Sequence, residues 1–440
     1  MTRVLAAAVV LALPLCGGSA EPFAVRPAAA PVPALKYQLL PEVRELHAGN
    51  PAQWYVRCFA EQRNFFFGKD SVAARRSALV VPLDKFPKDE LGYYGGNALK
   101  QADYGARHDA LDWQITDRVK TEGLDAAYPE LPSFGVLGEA LHVRFRLELA
   151  TKRFADAVVT AKTMFAFARH LGEHPTTAGN AVGLDVANRA LDALDEFVRL
   201  PGSPNLYWAL SDLPSPLVGV RKGLQGQVAR VDTELAIPAD APLTDEQVEK
   251  IVSRLSGVLG SAREQAGEPP RNFRAEVRKK LADADHMKAV RKRLHAPGAV
   301  GDPARGLAAL PVAAFTPAHA LLLDEKHDHE RRRDEEMKLL AMPAWMPGVA
   351  RQKSSGLFDA FLPPVADVRA AQAKVEHRLA FLRHVEALRM FAATHGGALP
   401  ASLAEVGVPL PVDPLTGKAF AYSADGGAAK LAGVTVTVTK

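Results

Sequence analysis

The sequence predicts a mainly α-helical protein, an irregular helical bundle or solenoid of stacked helical hairpins, with a small C-terminal module of one helix and an antiparallel sheet. Two patterns support this fold class. Apolar residues between positions 134 and 200 recur three and four positions apart, which places them on one helical face. The end of the chain, GVTVTVTK, alternates in the manner of a strand. Because 48% of the 440 residues are hydrophobic, the chain can bury a sizeable core.

The N-terminal residues have the composition of a secretory signal peptide. Arg3 gives a positive start, and Val4 to Leu15 is an apolar run too short to cross a bilayer. The small residues Gly18-Ser19-Ala20 predict cleavage after Ala20. The alternative is a lipoprotein acylated at Cys16, which is disfavoured because the residue before the cysteine is not small. We therefore expect an exported protein, periplasmic or extracellular, with no transmembrane segment after cleavage.

Composition divides the chain into five segments. Prolines and alanines without a helical period follow the signal and predict a flexible or polyproline-like leader. The segments are residues 1–20 (signal peptide), 21–36 (Pro/Ala-rich leader), 37–341 (helical domain), 342–366 (irregular linker) and 367–440 (C-terminal helix and small β-sheet). Cleavage would leave Cys58 as the sole cysteine, so no intramolecular disulfide is expected. Its thiol is interpreted as a buried small hydrophobe rather than as a nucleophile.

Helical spacing accounts for most of the chain between the leader and the tail. It predicts helices over residues 52–67, 98–120, 135–150, 154–171, 186–198, 273–295, 316–340 and 367–394. The third and fourth of these form a helical hairpin around a turn at 151–153. The fourth and fifth each carry an apolar stripe that they cannot bury alone, so they are expected to pack on each other or on neighbours.

Capping and breaking residues mark several helix ends. Thr244, with a glutamine three positions later, resembles a capping box and begins a further helix. Thr316 is the expected cap of the next helix, with Pro317 in its first turn. Residues 297–311 form a Gly/Pro-rich linker between them, and Gly396-Gly397 ends the last long helix.

The tail is expected to fold as a small sheet. The segment PVDPLTGKAFAYS predicts a turn followed by a strand, and Gly426-Gly427 within residues 424–428 predicts a hairpin turn. Because an isolated hairpin is only marginally stable, the sheet should pack on the last helix.

Two features are candidates for an interaction surface. Tyr207 and Trp208 suit an aromatic ligand platform, although the favoured interpretation is a short helix anchored in the core. The helix at 273–295 is strongly basic. Its candidate contact residues are Arg278, Lys279, Arg291 and Arg293.

The basic helix allows two interpretations. It could bind anionic lipid, an acidic polymer or nucleic acid, or it could be a solvated helix face. The solvated face is favoured, because Asp283 and Asp285 interrupt the positive charge. No aromatic residue interleaves the cations for base stacking, and the net charge of the whole chain is only +4. No nucleic-acid partner is therefore expected, and the predicted partner is a protein or an envelope component.

The sequence predicts no metal site and no cofactor. His327 and His329 are only weak metal candidates, because residues two apart point to different sides of a helix. Asp413 in the tail is a third weak candidate.

No catalytic residue is predicted either. The chain lacks a P-loop and the H-E-x-x-H, G-x-S-x-G and G-x-G-x-x-G motifs. Whether the protein is an enzyme stays open, with a preference for no activity. A hydrolase would have to use residues such as His170, His174 and Asp185, for which no local signature argues.

Two resemblances accompany these patterns. The segments ALKQADYGARHDALDW, FADAVVTAKTMFAFARHLGEHPTTAGN and PGSPNLYWALSDLPSPL resemble a group of planctomycetal secreted helical proteins, across residues 37–336. That resemblance implies an exported helical fold and no particular activity. The tail, in which GGALPASLAEVG and DPLTGKAFAY follow a long helix, is similar to the globular half of type II secretion pseudopilins. This second resemblance implies a calcium ligand at Asp413, with Asp425 as the nearest second acid.

The leading hypothesis is a non-enzymatic, exported scaffold that binds a protein or an envelope component through its stacked helices. One alternative is a secreted hydrolase with its site in a cleft between helices. The other is a pseudopilin-like secretion component, although pseudopilins begin with a hydrophobic assembly helix and this chain begins with a cleavable signal.

Overall fold

The computed structural model describes residues 22–92, 94–265, 272–295, 312–346, 356–425 and 427–439. Within these ranges the chain forms fifteen α-helices and a four-stranded sheet, which confirms the predicted fold class. None of these helices has both the length and the apolar character that a membrane crossing would require. The predicted signal peptide, Cys16 and the predicted linker at 297–311 lie outside the described residues.

Five helices precede the centre of the fold. They are α1 (Pro51–Glu61), α2 (Arg63–Phe67), α3 (Lys69–Val80), α4 (Gly96–Ala106) and α5 (Thr116–Thr121). The two helices predicted over residues 52–67 and 98–120 are each interrupted. Gln62, with φ −138° and ψ 55°, separates α1 from α2. Between α4 and α5 the backbone pairs with an earlier loop: the His47 amide donates to the Arg107 carbonyl at 2.8 Å, and the Asn50 side chain accepts from the Asp112 amide at 3.3 Å.

Three long helices form the centre of the fold. They are α6 (Leu131–Ala150), α7 (Phe154–Gly172) and α8 (Thr177–Arg199). They pack on one another, which confirms the predicted hairpin and its turn at 151–153. α7 is buried beyond its predicted stripe, because α4 packs on it at Thr163 and the rings of Tyr55 and Phe134 pack on Phe167. Gly183 permits the close approach of α8 to α7, since a Cβ there would lie 2.9 Å from the Ala168 carbonyl oxygen.

Six helices follow. They are α9 (Tyr207–Ser211), α10 (Arg221–Glu234), α11 (Asp245–Gln265), α12 (Phe273–Ala282), α13 (Ala284–Leu294) and α14 (Pro317–Lys338). Helices α11 to α14 surround a hydrophobic cluster of their own, which we call the second cluster. Two predicted caps are confirmed. Thr244 and Gln247 exchange side-chain-to-backbone hydrogen bonds at 2.8 and 3.3 Å, and the Thr316 hydroxyl accepts from the His319 amide at 3.3 Å.

The sheet joins the two ends of the described chain. Its strands are β1 (Phe23–Val25), β2 (Tyr422–Asp425), β3 (Ala428–Leu431) and β4 (Val434–Val438), in the order β1-β4-β3-β2. The predicted C-terminal hairpin is confirmed, because β2, β3 and β4 pair antiparallel. β1, however, pairs parallel to β4 with Phe23 opposite Val436, so the sheet is mixed. The prediction of a flexible leader is wrong at β1, since Phe23 and Val25 are buried in the core.

The last helix, α15 (Val365–Thr394), begins slightly before its predicted start at Asp367. It packs on α8 and shares one hydrophobic cluster with α6, α7 and the sheet. The segments predicted from composition therefore do not coincide with the hydrophobic clusters. Leu357 and Phe361, in the predicted linker, are buried in the second cluster. As predicted, glycines end α15: Gly396 and the residue after it adopt positive φ values of 64° and 90°.

Candidate interaction face

The basic segment predicted as one helix is a pair of helices, α12 and α13, that lie against α14. Asp283 separates them, and its carboxylate caps α13 by accepting from the His286 amide at 2.9 Å. Both helices bury their apolar residues in the second cluster, at roughly 1.5–3 kcal/mol for each large side chain. These residues are Phe273, Val277, Met287, Val290 and Leu294. The pair therefore has a fixed orientation, with one side toward the core and the other toward solvent.

Where the helix pair meets α14, two acidic residues of α14 neutralise two of its cations. Lys280 Nζ lies 2.6 Å from Glu325 Oε1, and Arg293 donates to both carboxylate oxygens of Asp324 at 2.6 and 2.8 Å. The hydrogen bonds to Asp324 raise the pKa of Arg293. Arg293 was predicted as a surface contact; its side chain is 53% exposed, but its guanidinium is paired with Asp324.

Five other cations of the helix pair are exposed to solvent. They are Arg278 and Lys279 of α12 and Lys288, Arg291 and Lys292 of α13, and we call them the basic face. None of the five forms an ion pair with any residue that the structure describes. The three on α13 share one helical side, because they stand at positions i, i+3 and i+4. The exposed acid nearest to them in sequence is Asp285.

The chemistry of the basic face is limited to anion binding. Ammonium and guanidinium groups are charged near neutral pH and only donate hydrogen bonds. Arg278, Lys279 and Arg291 were predicted as contact residues, whereas Lys288 and Lys292 of the same basic segment were not. Lys280 and Arg293 differ from these five in being paired with acids of α14, which is a tertiary property.

Tyr207 and Trp208 belong to the core. Tyr207 is fully buried in α9, and its hydroxyl donates to the Pro409 carbonyl. Trp208 is half-buried, and its ring meets that of Tyr207 edge-on at a centroid distance of 5.0 Å. The aromatic-platform alternative is therefore wrong for Tyr207, and the interpretation as a core anchor is confirmed.

The three weak metal candidates do not converge. His329 is fully buried in α14, where burial lowers its pKa to about 4, and His327 is half-buried on the same helix. Asp413 stabilises its own turn, because its carboxylate is bonded to His377 Nδ1 at 2.8 Å and to the Leu415 amide at 2.9 Å. Across the described ranges, no group of three or more His, Cys, Asp or Glu residues could hold a metal ion.

The residues available to a hydrolase have separate structural partners. His170 Nδ1 lies 2.7 Å from the Tyr55 hydroxyl, and removal from water lowers the pKa of His170 to about 3. His174 is fully buried with its Nδ1 2.8 Å from the Thr176 hydroxyl, and burial lowers its pKa to about 4. Asp185 pairs at 2.7 Å with the arginine one turn along α8.

A polar network between α4, α6 and α7 was missed by the sequence analysis. Arg144 donates to both carboxylate oxygens of Asp103 at 2.7 and 2.9 Å and to the Thr160 hydroxyl at 3.0 Å. Thr160 in turn donates to Glu148 Oε2 at 2.7 Å. Glu148 is 6% exposed, and burial raises its pKa to about 7 although Arg144 is nearby. The network joins three helices, and no local sequence pattern predicts that they contact one another.

We predict that the difference in unfolding free energy between Glu148→Gln and the unchanged protein shifts in favour of the variant as the pH rises. The pKa of Glu148 is higher in the folded chain, about 7, than its ordinary value of 4.5. Such a group contributes stability that is present below pH 4.5 and lost as the pH rises through 7. The loss corresponds to about 3 kcal/mol at high pH. Urea denaturation of both proteins across this pH range measures the divergence.

The control for this prediction is Glu122→Gln, which removes an exposed carboxylate paired with Arg118 at 2.9 Å. We expect no divergence of the same sign for that variant, because its carboxylate stays in water. A pH-independent difference between Glu148→Gln and the unchanged protein would contradict the raised pKa.

A shallow cleft of about 280 Å³ lies between the N-terminal segment and the turn after α8. The residues lining it include Pro27, Lys36, Tyr37, Ser203 and Asn205. The Ser203 hydroxyl accepts from Arg389 at 2.8 Å, and the Asn205 amide donates to the Glu386 carbonyl at 2.8 Å. These two polar groups of the cleft therefore hold the turn after α8 on α15.

Comparison with known proteins found no relative of this chain. No protein-family model matches the chain, and no curated protein or solved structure is significantly similar to it.

Proposed function

We propose that this protein is an exported helical scaffold, without catalytic activity of its own, that binds an envelope component through the basic face. The contrast between paired and unpaired cations on α12 and α13 carries the proposal. Lys280 and Arg293 are neutralised by Glu325 and Asp324, whereas the five cations of the basic face have no acidic partner among the described residues. An anionic molecule would supply the missing partners.

The anchoring of the helix pair in the second cluster supports this proposal. Side chains that are presented by a fixed element lose less freedom on binding than side chains on a mobile loop. One exposed ion pair contributes only about 1 kcal/mol or less, so useful affinity requires several at once. The basic face offers five cations on two anchored helices, which meets that requirement.

The buried titratable groups support a structural rather than a catalytic use of the helical core. Glu148, His170 and His174 have strongly shifted pKa values, and each is bonded to a hydroxyl group of a neighbouring side chain. These bonds hold side chains in place within and between helices. Export rests on the predicted signal peptide at residues 1–20.

Cosedimentation with the envelope fraction of the producing cells tests the proposal. We expect the full chain to sediment with the envelope at low salt. The variant Lys288→Gln/Arg291→Gln/Lys292→Gln should be retained at least about tenfold more weakly, because each cation near an anionic surface contributes about 1 kcal/mol. Raising the salt concentration should release the unchanged protein as well.

A matched control removes the same charges elsewhere. Lys69→Gln/Arg76→Gln/Lys88→Gln neutralises two lysines and one arginine at exposed positions on α3 and the loop after it. We expect this variant to sediment like the unchanged protein. Equal retention of all three proteins, or no retention of the unchanged protein at low salt, would contradict the proposed function.

A further inference from the structure

We infer that the ligand of the basic face is a flexible linear polyanion, an acidic polysaccharide with anionic groups along its length. This inference rests on the proposed function, because it concerns the same face. The cations stand in two groups, Arg278 and Lys279 on α12 and the remaining three on α13. The acids Asp283 and Asp285 lie at the junction between them.

The shape of the basic face favours a polymer over a small anion. Its side chains project outward from two helices, so their donors diverge, whereas strong binding of one phosphate or carboxylate needs convergent or bidentate donors. A chain of linked anions can instead occupy both groups of cations. Each contact then raises the local concentration of the next, which gives affinity without a pocket.

The composition of the face disfavours a membrane surface. Helices that lie on lipid insert exposed apolar residues at the headgroup level. The large apolar residues of α12 and α13, such as Phe273, Met287 and Leu294, are buried in the second cluster instead. A flat anionic surface would also meet Asp283 and Asp285, which a flexible chain can pass by.

The same composition disfavours a protein or a nucleic acid as the ligand. The centre of a protein–protein interface is enriched in apolar and aromatic side chains, whereas the large apolar side chains of α12 and α13 are buried or partly buried in the second cluster. Single-stranded nucleic acids stack their bases on aromatic rings, which the face does not offer either. Charge without apolar surface matches a hydrophilic polyanion.

Fluorescence anisotropy with a labelled polygalacturonate oligosaccharide tests the inference on the full chain. We expect binding that weakens steeply with added salt. Neutralising Lys288, Arg291 and Lys292 should weaken it at least about tenfold, while neutralising Lys69, Arg76 and Lys88 should change it by less than about twofold. Galacturonic acid monomer and vesicles of phosphatidylcholine with phosphatidylglycerol should compete poorly.

Several outcomes would overturn the inference. These are equal losses in the two triple variants, competition by the monomer as strong as by the oligosaccharide, and tighter binding to the vesicles than to the oligosaccharide.

Failure of this inference can be distinguished from failure of the proposed function. If envelope retention depends on the basic face but polygalacturonate does not bind, the proposed function stands and the polymer assignment is wrong. If polygalacturonate binds through the face but envelope retention does not depend on it, the proposed function is wrong.

Discussion

Glu386→Ala is expected to lower the free energy of unfolding by about 3–5 kcal/mol, because it leaves a buried cation without its counter-ion. Glu386 and Arg389 are 0% and 1% exposed, and Arg389 Nη1 lies 2.9 Å from both carboxylate oxygens. The remaining donors of Arg389 bind the carbonyls of Arg26 and Ser203 at 2.9 Å. The guanidinium thus holds the N-terminal segment, and cannot turn to water without releasing it. Urea denaturation of the variant measures the loss.

The surface variant Asp156→Ala is the matched control for this prediction. It breaks an ion pair with Arg153 at the same i,i+3 spacing, but the two side chains are 55% and 48% exposed. Its expected cost is below about 1 kcal/mol. Replacing both buried partners, as Glu386→Leu/Arg389→Met, should cost less than Glu386→Ala alone, since no charge is then stranded. Equal costs for Glu386→Ala and Asp156→Ala would contradict the account of a stranded charge.

Phe167→Ala is expected to cost about 3–5 kcal/mol, the usual range for removing a fully enclosed aromatic ring. The Phe167 ring lies 4.4 Å from the ring of Tyr55 and 5.8 Å from that of Phe134, measured between centroids. It therefore fills the contact between α7, α1 and α6, and its loss leaves a cavity that the surrounding helices cannot close. Thermal and urea denaturation both report the change.

The control for Phe167→Ala is Val159→Ala on the same helix. Val159 is 42% exposed, so its truncation should cost less than about 1 kcal/mol. Comparable losses in the two variants would show that the second side of α7 is not a packed surface.

Local sequence patterns predicted those elements whose contacts and hydrogen bonds involve residues close together in the chain. The stripes of α7 and α8 and the reciprocal bonds of Thr244 and Gln247 depend on residues within a few positions, and all of them are present in the structure. The glycines after α15 and the C-terminal hairpin belong to the same class. Periodicity and capping therefore sufficed for these parts of the fold.

The features that were missed depend on residues distant in the chain. β1 is three residues long, and its partner β4 lies at the other end of the sequence, so no neighbouring pattern marks it as a strand. The segment between α4 and α5 exchanges helical bonds for bonds to His47 and Asn50. Long-range pairing overrides helical spacing between α4 and α5, and at β1 it orders a segment that was predicted as a flexible or polyproline-like leader.

The basic face shows the same limit. Composition identified a cationic segment, but it could not tell Arg293, which is neutralised by Asp324, from Lys288, which has no acidic partner among the described residues. That distinction comes from the packing of α13 on α14. The positive charge of the candidate site could therefore be predicted from the sequence. Which cations belong to the basic face could be seen only in the folded structure.

Photo-crosslinking in intact envelopes tests most directly whether the basic face is where this protein meets its partner. A photoreactive residue replaces Ala284, which is exposed on α13 one turn from Lys288, so that all five cations stay in place. The same residue replaces the exposed Ala74 on α3 as the comparison. We predict adducts with an envelope polymer from position 284 and none from position 74. Adducts at both positions alike, or from position 74 alone, would contradict the account.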